Sequence, residues 1–367
     1  MEVPTGASQF DARQKRLRAR LEANKLSALL VTKPANLFYL TNFRGSAGVL
    51  IFALRTPVLW VDPRYTLQAR EAACGVEVRE EKGRLLTKVG QWLAERSKGR
   101  AGYRVGYEDS HLTCAALTEL RRDGLRLRPA SGMIEEMRSV KDAAEIDCIR
   151  RAGHLTAVVF EEVRQLIRPG IRECEVAAEI EYRMRRGGAE GPAFETIVAS
   201  GPRAALPHAR ASAKPLEHNE FVILDLGAIL AGYTADMTRT VYLGEPSHRF
   251  RNLYRAVRES QESAVEMLRP GVEAQQVDAA ARRTLARARL GKYFTHSTGH
   301  GVGLEIHEAP RLARGQETLL QSGSVVTAEP GVYLEGLGGV RIEDTVLVCA
   351  GAPEILTPAS KDDWLIA

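Results

Sequence analysis

The stretch FVILDLGAILAGYTADMTRTVYL, residues 221–243, decides the fold, because two β-rich runs flank a short turn sequence. A hairpin centred on the Leu230–Ala231 bond would place Asp225 directly opposite Asp236. Directly opposed side chains share one face of an antiparallel pair, with Cβ atoms about 4.5–5.5 Å apart. Two like charges held this closely in a partly buried strand need a cation between them or a proton on one. The alternative is a register shifted by one residue, which would send one aspartate to solvent.

A second predicted hairpin carries a second pair of acids. Strands over residues 324–329 and 341–348 flank a glycine-rich connection, EGLGG, which is a strong turn signal. A centre at Gly336 pairs Glu329 with Glu343. We therefore expect the two acid pairs to occupy matching places in two halves of one domain.

Histidines accompany these acids. The candidates are His208 in GPRAALPHAR and His296, His300 and His307 in HSTGHGVGLEIHE. Glycines on both sides of His300 exclude a regular helix and suit a backbone that approaches a site closely. Arg341 lies two residues before Glu343 and so points to the same face of its strand, where it would orient or neutralise an acid. An exposed strand cation is the alternative for Arg341.

Four carboxylates and one imidazole form a ligand set that is mostly oxygen and contains no thiolate. Such a set favours Mn²⁺, Co²⁺ or Fe²⁺ and also accepts Zn²⁺. Two divalent ions would cancel the charge of four acids, whereas one would not. The sequence therefore favours a two-metal centre, with the ions about 3.5–4 Å apart.

Length and composition set the frame for this site. At about 150 residues per domain, 367 residues predict two domains. The hydrophobic share of 44% and the charged share of 26% are ordinary for a folded globular protein. The net charge of +5 is spread along the chain rather than gathered in blocks, so we expect no nucleic-acid partner.

Location is predicted from what the chain lacks. No apolar run approaches the roughly 20 residues that span a bilayer, and the N-terminal residues contain no apolar signal-peptide core. The five cysteines are scattered without a C-x-x-C pair, which fits neither a disulfide framework nor a zinc–thiolate site. We expect a cytoplasmic protein without a membrane partner.

The chain changes character about a third of the way along. Helix-like and strand-like segments alternate up to about residue 130, which predicts an α/β domain. The polar stretch SGMIEEMRSVK, residues 131–141, breaks this pattern. We place the domains at 1–135 and 136–367.

The second domain contains a faint internal repeat. LIRPGIRECEVAAEIE begins at Leu166 and MLRPGVEAQQVDAAARR begins at Met267, and both read as a helix, an R-P-G stop and a second helix. Each is followed by histidine-bearing sequence and a β run ending in an acid. This order predicts duplication into two similar halves facing one another across a cleft. Coincidence is the alternative, because R-P-G is a common helix stop.

The motifs LDLGAILAGYTADMTRT, HSTGHGVGLEIHE, TAEPGVY and RIEDT together resemble the creatinase/methionine-aminopeptidase superfamily, M24 in peptidase classification. The resemblance covers about residues 140–360. The first domain resembles the creatinase-type N-terminal domain through NLFYLTNFRGSAG and WVDPRYTLQA. The resemblance implies an α+β protein with a C-terminal pita-bread domain, an internal pseudo-twofold and a smaller N-terminal α/β domain. The two domains together imply an Xaa-Pro peptidase.

Carried over by position, the resemblance implies a set of site residues. The implied metal ligands are Asp225, Asp236, His300, Glu329 and Glu343, with Asp236 and Glu343 bridging two ions, expected to be Mn²⁺. The implied catalytic residues are His208, His307 and Glu329, and the expected substrate-binding residues are His296, Arg311 and Arg341. One departure is visible, since Arg203 in SGPRAALPH stands where relatives often have asparagine. That difference bears on substrate fit rather than on the metal ligands.

Several readings of the activity stay open within this resemblance. The FRGSAG motif favours aminopeptidase P, whereas Arg311 favours dipeptides because its position contacts the substrate carboxylate in some prolidases. We predict an Xaa-Pro aminopeptidase acting on proline-containing peptides, with an Xaa-Pro dipeptidase as the alternative. A non-catalytic pita-bread binding module is an alternative of another class, and the complete ligand set argues against it. The resemblance also implies a homodimer.

Overall fold

The computed structural model describes residues 7–366. The described chain divides into two compact units that meet in sequence between Arg138 and Ser139. This junction lies three residues beyond the predicted boundary at 135/136. The first six residues of the predicted N-terminal domain and the last residue of the catalytic one lie outside the described residues. None of the helices in residues 7–366 combines the length and the apolar character needed to cross a membrane.

The first unit is built on a mixed sheet whose strands lie in the order β4, β3, β2, β1, β5 and β6. Its strands are β1 Ala28–Val31, β2 Gly48–Ala53, β3 Val58–Val61, β4 Glu77–Glu80, β5 Val105–Tyr107 and β6 Leu127–Pro129. Its α-helices are α1 Ala7–Ala23, α2 Pro34–Thr41, α3 Thr66–Ala72, α4 Leu85–Ser97, α5 Cys114–Leu120 and α6 Met133–Arg138. The central strands β1 and β3 are entirely buried, as their unbroken apolar sequences require.

The predicted alternation of elements in this unit is confirmed, with one correction. The stretch 131–141 was expected to be a polar break, but it contains α6, where Ile134, Met137 and Arg138 are buried. The polar composition of this stretch did not indicate a helix, because the buried face of α6 is only about two turns long. Buried Arg138 donates to the side chain of Asn36 at 2.6 Å, which ties α6 to α2 inside this unit.

The second unit contains the remaining helices and strands. Its α-helices are α7 Ala143–Arg164, α8 Glu173–Arg186, α9 His248–Glu266 and α10 Ala274–Arg287. Its strands are β7 Gly191–Pro192, β8 Ile197–Ser200, β9 Glu220–Leu226, β10 Ala228–Leu230, β11 Tyr233–Thr234, β12 Met237–Leu243, β13 Gly299–Gly301, β14 Glu308–Leu312, β15 Val325–Ala328, β16 Gly331–Leu334, β17 Gly338–Arg341, β18 Asp344–Leu347, β19 Glu354–Ile355 and β20 Leu365–Ile366. Short 3₁₀ segments occupy Pro63–Tyr65 in the first unit, and Gly201–Ala205 and Gly291–Tyr293 in the second.

The internal repeat predicted from the two R-P-G stops appears as matching halves of this unit. Helices α7 and α8 accompany a sheet of order β20, β12, β9, β8, and helices α9 and α10 accompany one of order β14, β13, β15, β18, β19. Gly170 donates to the carbonyl of Leu216 at 2.9 Å, and Gly271 donates to that of Leu320 at 2.8 Å. Both glycines have positive φ, 90° and 85°, which favours glycine after a helix. The two halves thus repeat the same turn chemistry.

Each half has its own apolar core. In the first half, Phe160, Ile180 and Val222 belong to one buried cluster that joins α7, α8 and β9. In the second half, Val257 and Val326 belong to a cluster that joins α9 and β15. Helix amphipathicity and strand burial fix each sheet against its helix pair, and Phe221 and Tyr242 of the first sheet also pack in the second cluster.

The register predicted for the first hairpin is wrong. Asp225 pairs with Thr238 rather than with Asp236. The two-residue turn consists of Ala231 and Gly232, both with positive φ, 52° and 81°, as a type I′ hairpin turn requires. This turn lies one residue later than predicted, and it displaces the pairing by two positions. Side-chain parity survives a two-residue displacement, so both aspartates still reach the same cavity.

The register predicted for the second hairpin is confirmed. Gly331 pairs with Arg341 across β16 and β17, and Ala328 pairs with Asp344 across β15 and β18. Both pairs are centred on residue 336. The predicted single strand 341–348 is interrupted before β18, and this break contains Glu343.

Candidate metal centre

The described part of the second unit contains a cavity of about 790 Å³ lined by residues of both halves. Its polar lining includes every sequence-predicted site residue: Asp225, Asp236, Glu329, Glu343, His208, His296, His300, His307, Arg311 and Arg341. The fold thus brings these ten side chains to one space, although they come from segments more than a hundred residues apart.

Strand ends and strand breaks place the acids in this cavity. Asp236 lies in the short gap between β11 and β12, Glu329 follows the last residue of β15, and Glu343 lies between β17 and β18. Asp225 lies within β9. A carboxylate at a break escapes the crowding of a regular sheet, so its oxygens are free to converge with others.

Three side chains form the tightest group. Asp236, His300 and Glu343 are all buried, and each offers a ligand atom within 4.8 Å of the other two. His300 Nε2 lies 3.7 Å from Asp236 Oδ2 and 3.4 Å from Glu329 Oε1. His300 Nδ1 lies 3.0 Å from the carbonyl oxygen of Gly301. A proton on Nδ1 satisfies that carbonyl and leaves the Nε2 lone pair facing the carboxylates.

Asp225, beside this group, is paired with a cation. Arg341 Nη2 donates to Asp225 Oδ2 at 2.7 Å, and both side chains are almost completely buried. The remaining donors of Arg341 go to Thr238, Tyr333 and the carbonyl of Pro207. Arg341 therefore neutralises one acid of the cavity, and its substrate-binding role stays a prediction.

Burial and mutual repulsion perturb the titration of this group. Burial raises the pKa of Asp236 and of Glu343 well above the ordinary values, and the neighbouring carboxylates raise it further. Burial also raises the pKa of Glu329 to about 8. The pKa of His300 is lowered to about 4 by burial, so this imidazole is neutral at pH 7, the form that binds metals.

The residues present fit divalent cations. Asp225 Oδ1 and Glu343 Oε1 are buried oxygens without a hydrogen-bond partner among residues 7–366, and unpaired buried oxygens are costly unless something binds them. Once ionised, as metal ligands are, the four carboxylates would carry four negative charges; Arg341 offsets one, and the remaining three exceed what one dication cancels. Oxygen ligands with one imidazole suit Mn²⁺, Co²⁺ or Fe²⁺.

The histidines outside the tight group line the cavity in two different ways. His208 and His307 are exposed to it, and the ring of His307 lies 4.2 Å from that of His300. His296 is half-buried, and its Nε2 lies 2.9 Å from the hydroxyl of Tyr333. Burial lowers the pKa of His296 to about 4, and the charge of Arg341 acts in the same direction.

Sequence reasoning missed two residues that support the site. The hydroxyl of Tyr333 contacts both His296 and Arg341. Thr238 donates to Glu343 Oε2 at 2.7 Å and accepts from Arg341 Nε at 3.0 Å. Thr238 lies two residues after Asp236, so strand alternation would have found it.

Comparison with known proteins finds matches to two protein families, one for each unit. The chain matches the description of metallopeptidase family M24 over residues 147–350 and that of the creatinase/prolidase N-terminal domain over residues 13–140. It is 35% identical to the Xaa-Pro dipeptidase of Pyrococcus horikoshii over 346 residues, 93% of this chain and 95% of that protein.

Solved structures agree with these matches. The Xaa-Pro dipeptidase from Bacillus anthracis superposes with a TM-score of 0.93 at 37% identity, covering 97% of this chain and all of that one. The X-Pro aminopeptidase from Thermotoga maritima MSB8 superposes with a TM-score of 0.86 at 34% identity, covering 95% of this chain and all of that one. The expected pita-bread and creatinase-type domains are thereby confirmed.

Proposed function

Because the chain belongs to metallopeptidase family M24, we propose that it is an Xaa-Pro dipeptidase that uses two divalent metal ions. It is a hydrolase by family. The observation that carries the proposal is the convergence of four carboxylates and one neutral imidazole in a cavity that also presents free histidines and an arginine.

We rank dipeptidase activity above aminopeptidase activity, although the sequence alone favoured the aminopeptidase. Relatives along nearly the whole chain bear the name Xaa-Pro dipeptidase, and they support the alternative better than the first choice. Arg311 is exposed in the cavity wall, where its charge suits the free carboxylate that directly follows proline in a dipeptide. The aminopeptidase stays a second candidate because the Thermotoga maritima structure is similar over 95% of this chain.

Asp225, Asp236, His300, Glu329 and Glu343 would hold the ions. Bound divalent ions lower the pKa of water and polarise the carbonyl that is attacked. Glu329 lies at the open side of the group, with its side chain 17% exposed. Its carboxylate would accept a proton from the attacking water and return it to the prolyl nitrogen.

The free histidines would act on the peptide. His307 would donate a hydrogen bond to the carbonyl oxygen as negative charge develops on it. His208 would lie beside the prolyl nitrogen, which carries no hydrogen before cleavage and must gain one. His296, fixed against Tyr333 at 2.9 Å, would form one wall for the proline ring and favour it by shape. Arg341 would contribute to substrate binding indirectly, through its contact with the Pro207 carbonyl beside His208.

The test is hydrolysis of Gly-Pro and Arg-Pro-Pro by protein stripped with a chelator and then reloaded with Mn²⁺ or Co²⁺. We expect activity only after reloading, with a higher kcat/KM for Gly-Pro. Activity indifferent to the metal would refute the mechanism, and a preference for Arg-Pro-Pro would restore the aminopeptidase. Manganese as the ion, the homodimer and the cytoplasmic location stay predictions.

The contribution of Arg311 can be measured separately. Arg311→Ala should raise KM for Gly-Pro about tenfold, the usual order for one charged hydrogen bond. KM for a dipeptide amide, which lacks the carboxylate, should not change. Arg314→Ala is the matched control, because Arg314 is exposed three residues away and does not line the cavity. Equal effects of Arg311→Ala on both substrates would remove the argument for a dipeptide.

A further inference from the structure

A buried carboxylate lies behind the segment that carries His208. Glu173, the first residue of α8, is completely buried. Its oxygens accept hydrogen bonds from the backbone and hydroxyl of Ser200, at 2.8 and 2.9 Å, and from those of Ser212, at 3.0 and 2.6 Å. Ser200 and Ser212 lie on either side of His208 in the chain. One carboxylate therefore holds both ends of the segment 200–212.

Arg203 adds a second connection inside this segment. Its Nε donates to Glu173 Oε2 at 3.0 Å, and its Nη2 donates to the carbonyl oxygen of Arg210. The guanidinium thus spans the base of a loop that begins at Arg203 and ends at Arg210. His208 lies within that loop.

The position of His208 depends on this backbone. Its side chain is exposed, and it makes no hydrogen bond to another residue in the described range 7–366. The place of its imidazole in the cavity therefore depends on where the backbone of residues 203–210 holds it. The donation from Arg341 to the Pro207 carbonyl, at 3.1 Å, holds the preceding residue from the cavity side.

Glu173 and Arg203 carry opposite charges. Burial acts to raise the pKa of Glu173, but hydrogen bonds from Ser212 and Ser200 outweigh it and leave the pKa below its ordinary value. Glu173 is consequently a carboxylate at neutral pH, and a buried carboxylate is costly without a cation. Arg203 is the cation that pairs with it.

We propose that Arg203, anchored on buried Glu173, is a positioning residue that holds His208 against the substrate's prolyl nitrogen. This inference rests on the proposed function, because the role of His208 belongs to it. The branched guanidinium reaches both Glu173 and the Arg210 carbonyl, which a side chain with a single donor nitrogen could not do.

The first experiment measures order in the loop without using activity. Metal-loaded wild type, Arg203→Ala and Arg203→Lys are exposed to trypsin, and cleavage after Arg210 is timed by mass spectrometry. We expect cleavage about tenfold faster in Arg203→Ala, because proteolysis follows the population of the opened segment. Arg203→Lys keeps a charge beside Glu173 but has one nitrogen for two acceptors, so it should also be cleaved faster. Arg172→Ala is the control, since Arg172 precedes α8 and forms an exposed ion pair with Glu175 in the first turn of that helix.

The second experiment asks whether Arg203 acts through His208. Arg203→Ala or, if that variant does not fold, Arg203→Lys is combined with His208→Ala, and kcat/KM for Gly-Pro is measured around the cycle. We expect a loss of about tenfold in the wild-type background and less than about twofold with His208 already removed. Bound metal should be unchanged throughout, because neither residue is in the ligand group.

The outcomes separate this inference from the proposed function. Unchanged trypsin cleavage, or an equal loss of activity with and without His208, overturns the role of Arg203. Wild type that fails to hydrolyse Gly-Pro after metal loading overturns the proposed function instead. In that case the trypsin experiment still decides whether Arg203 holds the loop.

Discussion

At the scale of single residues, the cavity gathers groups whose charges conflict. Asp236 and Glu343 are buried with raised pKa values, and the nearby Arg341 already pairs with Asp225 at 2.7 Å. A protein keeps such an arrangement only if something compensates it. Divalent cations would supply the compensation, and the predictions at this scale follow from that.

Removal of the imidazole should weaken metal binding. His300→Ala deletes the proposed nitrogen ligand, Nε2, which lies 3.4 Å from Glu329 Oε1, and affinity for Mn²⁺ should fall by at least about 100-fold. Isothermal titration of stripped protein with MnCl₂ measures the change. His218→Ala is the control, since His218 is exposed and does not line the cavity. Unchanged affinity would show that His300 is not a ligand.

His296 should make stability depend on pH. Its pKa is about 4 in the folded protein against an ordinary 6.5, so the unfolded chain binds a proton there that the folded protein excludes. Its contribution to stability is complete above pH 6.5 and is lost progressively as the pH falls towards 4. His296→Asn should therefore reduce the drop in unfolding free energy between pH 7 and pH 5 by up to about 2 kcal/mol.

Urea midpoints of chelator-treated protein at pH 7 and pH 5 measure this effect of His296. The exposed His218, changed to asparagine, serves as the comparison and should leave the drop unchanged. An identical pH response in wild type and His296→Asn would contradict the prediction.

At the scale of elements, strand β13 shows why glycine flanks His300. A Cβ added at Gly299 would lie 2.0 Å from the backbone oxygen of Thr327. The backbone of β13 must approach this neighbour closely to place His300, whose N–H donates to Thr327 Oγ1 at 3.1 Å. Close packing against Thr327 therefore requires glycine at position 299, whatever the backbone conformation there requires.

Gly299→Ala should therefore destabilise the protein and disturb the metal site together. Forced displacement of backbone in a packed region costs about 1–3 kcal/mol, and the shift of His300 should lower Mn²⁺ affinity. Thermal unfolding and metal titration measure the two effects. Gly351→Ala, where an added Cβ meets nothing within 4 Å, should change neither. A stable variant with full metal affinity would show that the strand can move aside.

The strands behind the ligands are joined by a buried ion pair. Arg239, 1% exposed, donates to Asp344 Oδ1 at 2.8 Å and to the carbonyl of Glu343. Lys361 also pairs with Asp344. These contacts join β12 of the first half to β18 of the second. They hold the break at Glu343 in place from the side opposite the cavity.

At the scale of the molecule, the proposed ligands come together only because two halves of one unit meet. Asp225 and Asp236 come from the first half, and Glu329 and Glu343 from the second. A cation bound among them links the halves and stabilises the folded state by mass action.

Metal loading should accordingly raise the unfolding temperature. At free Mn²⁺ about 100 times its dissociation constant, the gain is about 2.7 kcal/mol, or several degrees for a domain of this size. Differential scanning calorimetry with Mn²⁺ and with chelator measures it. His300→Ala should show a much smaller difference between the two conditions. Coincident transitions of the wild type in both conditions would argue against metal bound between the halves.

Local patterns in the sequence were sufficient to predict the strands, the duplicated helix pairs and the strand face on which each acid lies. Alternation of apolar and polar residues decides which face a strand residue takes, and R-P-G stops a helix wherever it occurs. Those effects act over a few residues, so they can be read without the fold. Even the register error at Asp225 preserved its face, because the displacement was an even number of positions.

Contacts distant in sequence were decided by tertiary structure alone. The pairing of Arg341 with Asp225, the contact of Tyr333 with His296, and the span of Arg203 from Glu173 to the Arg210 carbonyl join residues on different elements. Each depends on how two sheets and their helices pack, and packing is set by the sum of many weak apolar contacts. No short motif determines how these many contacts add up, so the pairings could not be predicted from the sequence.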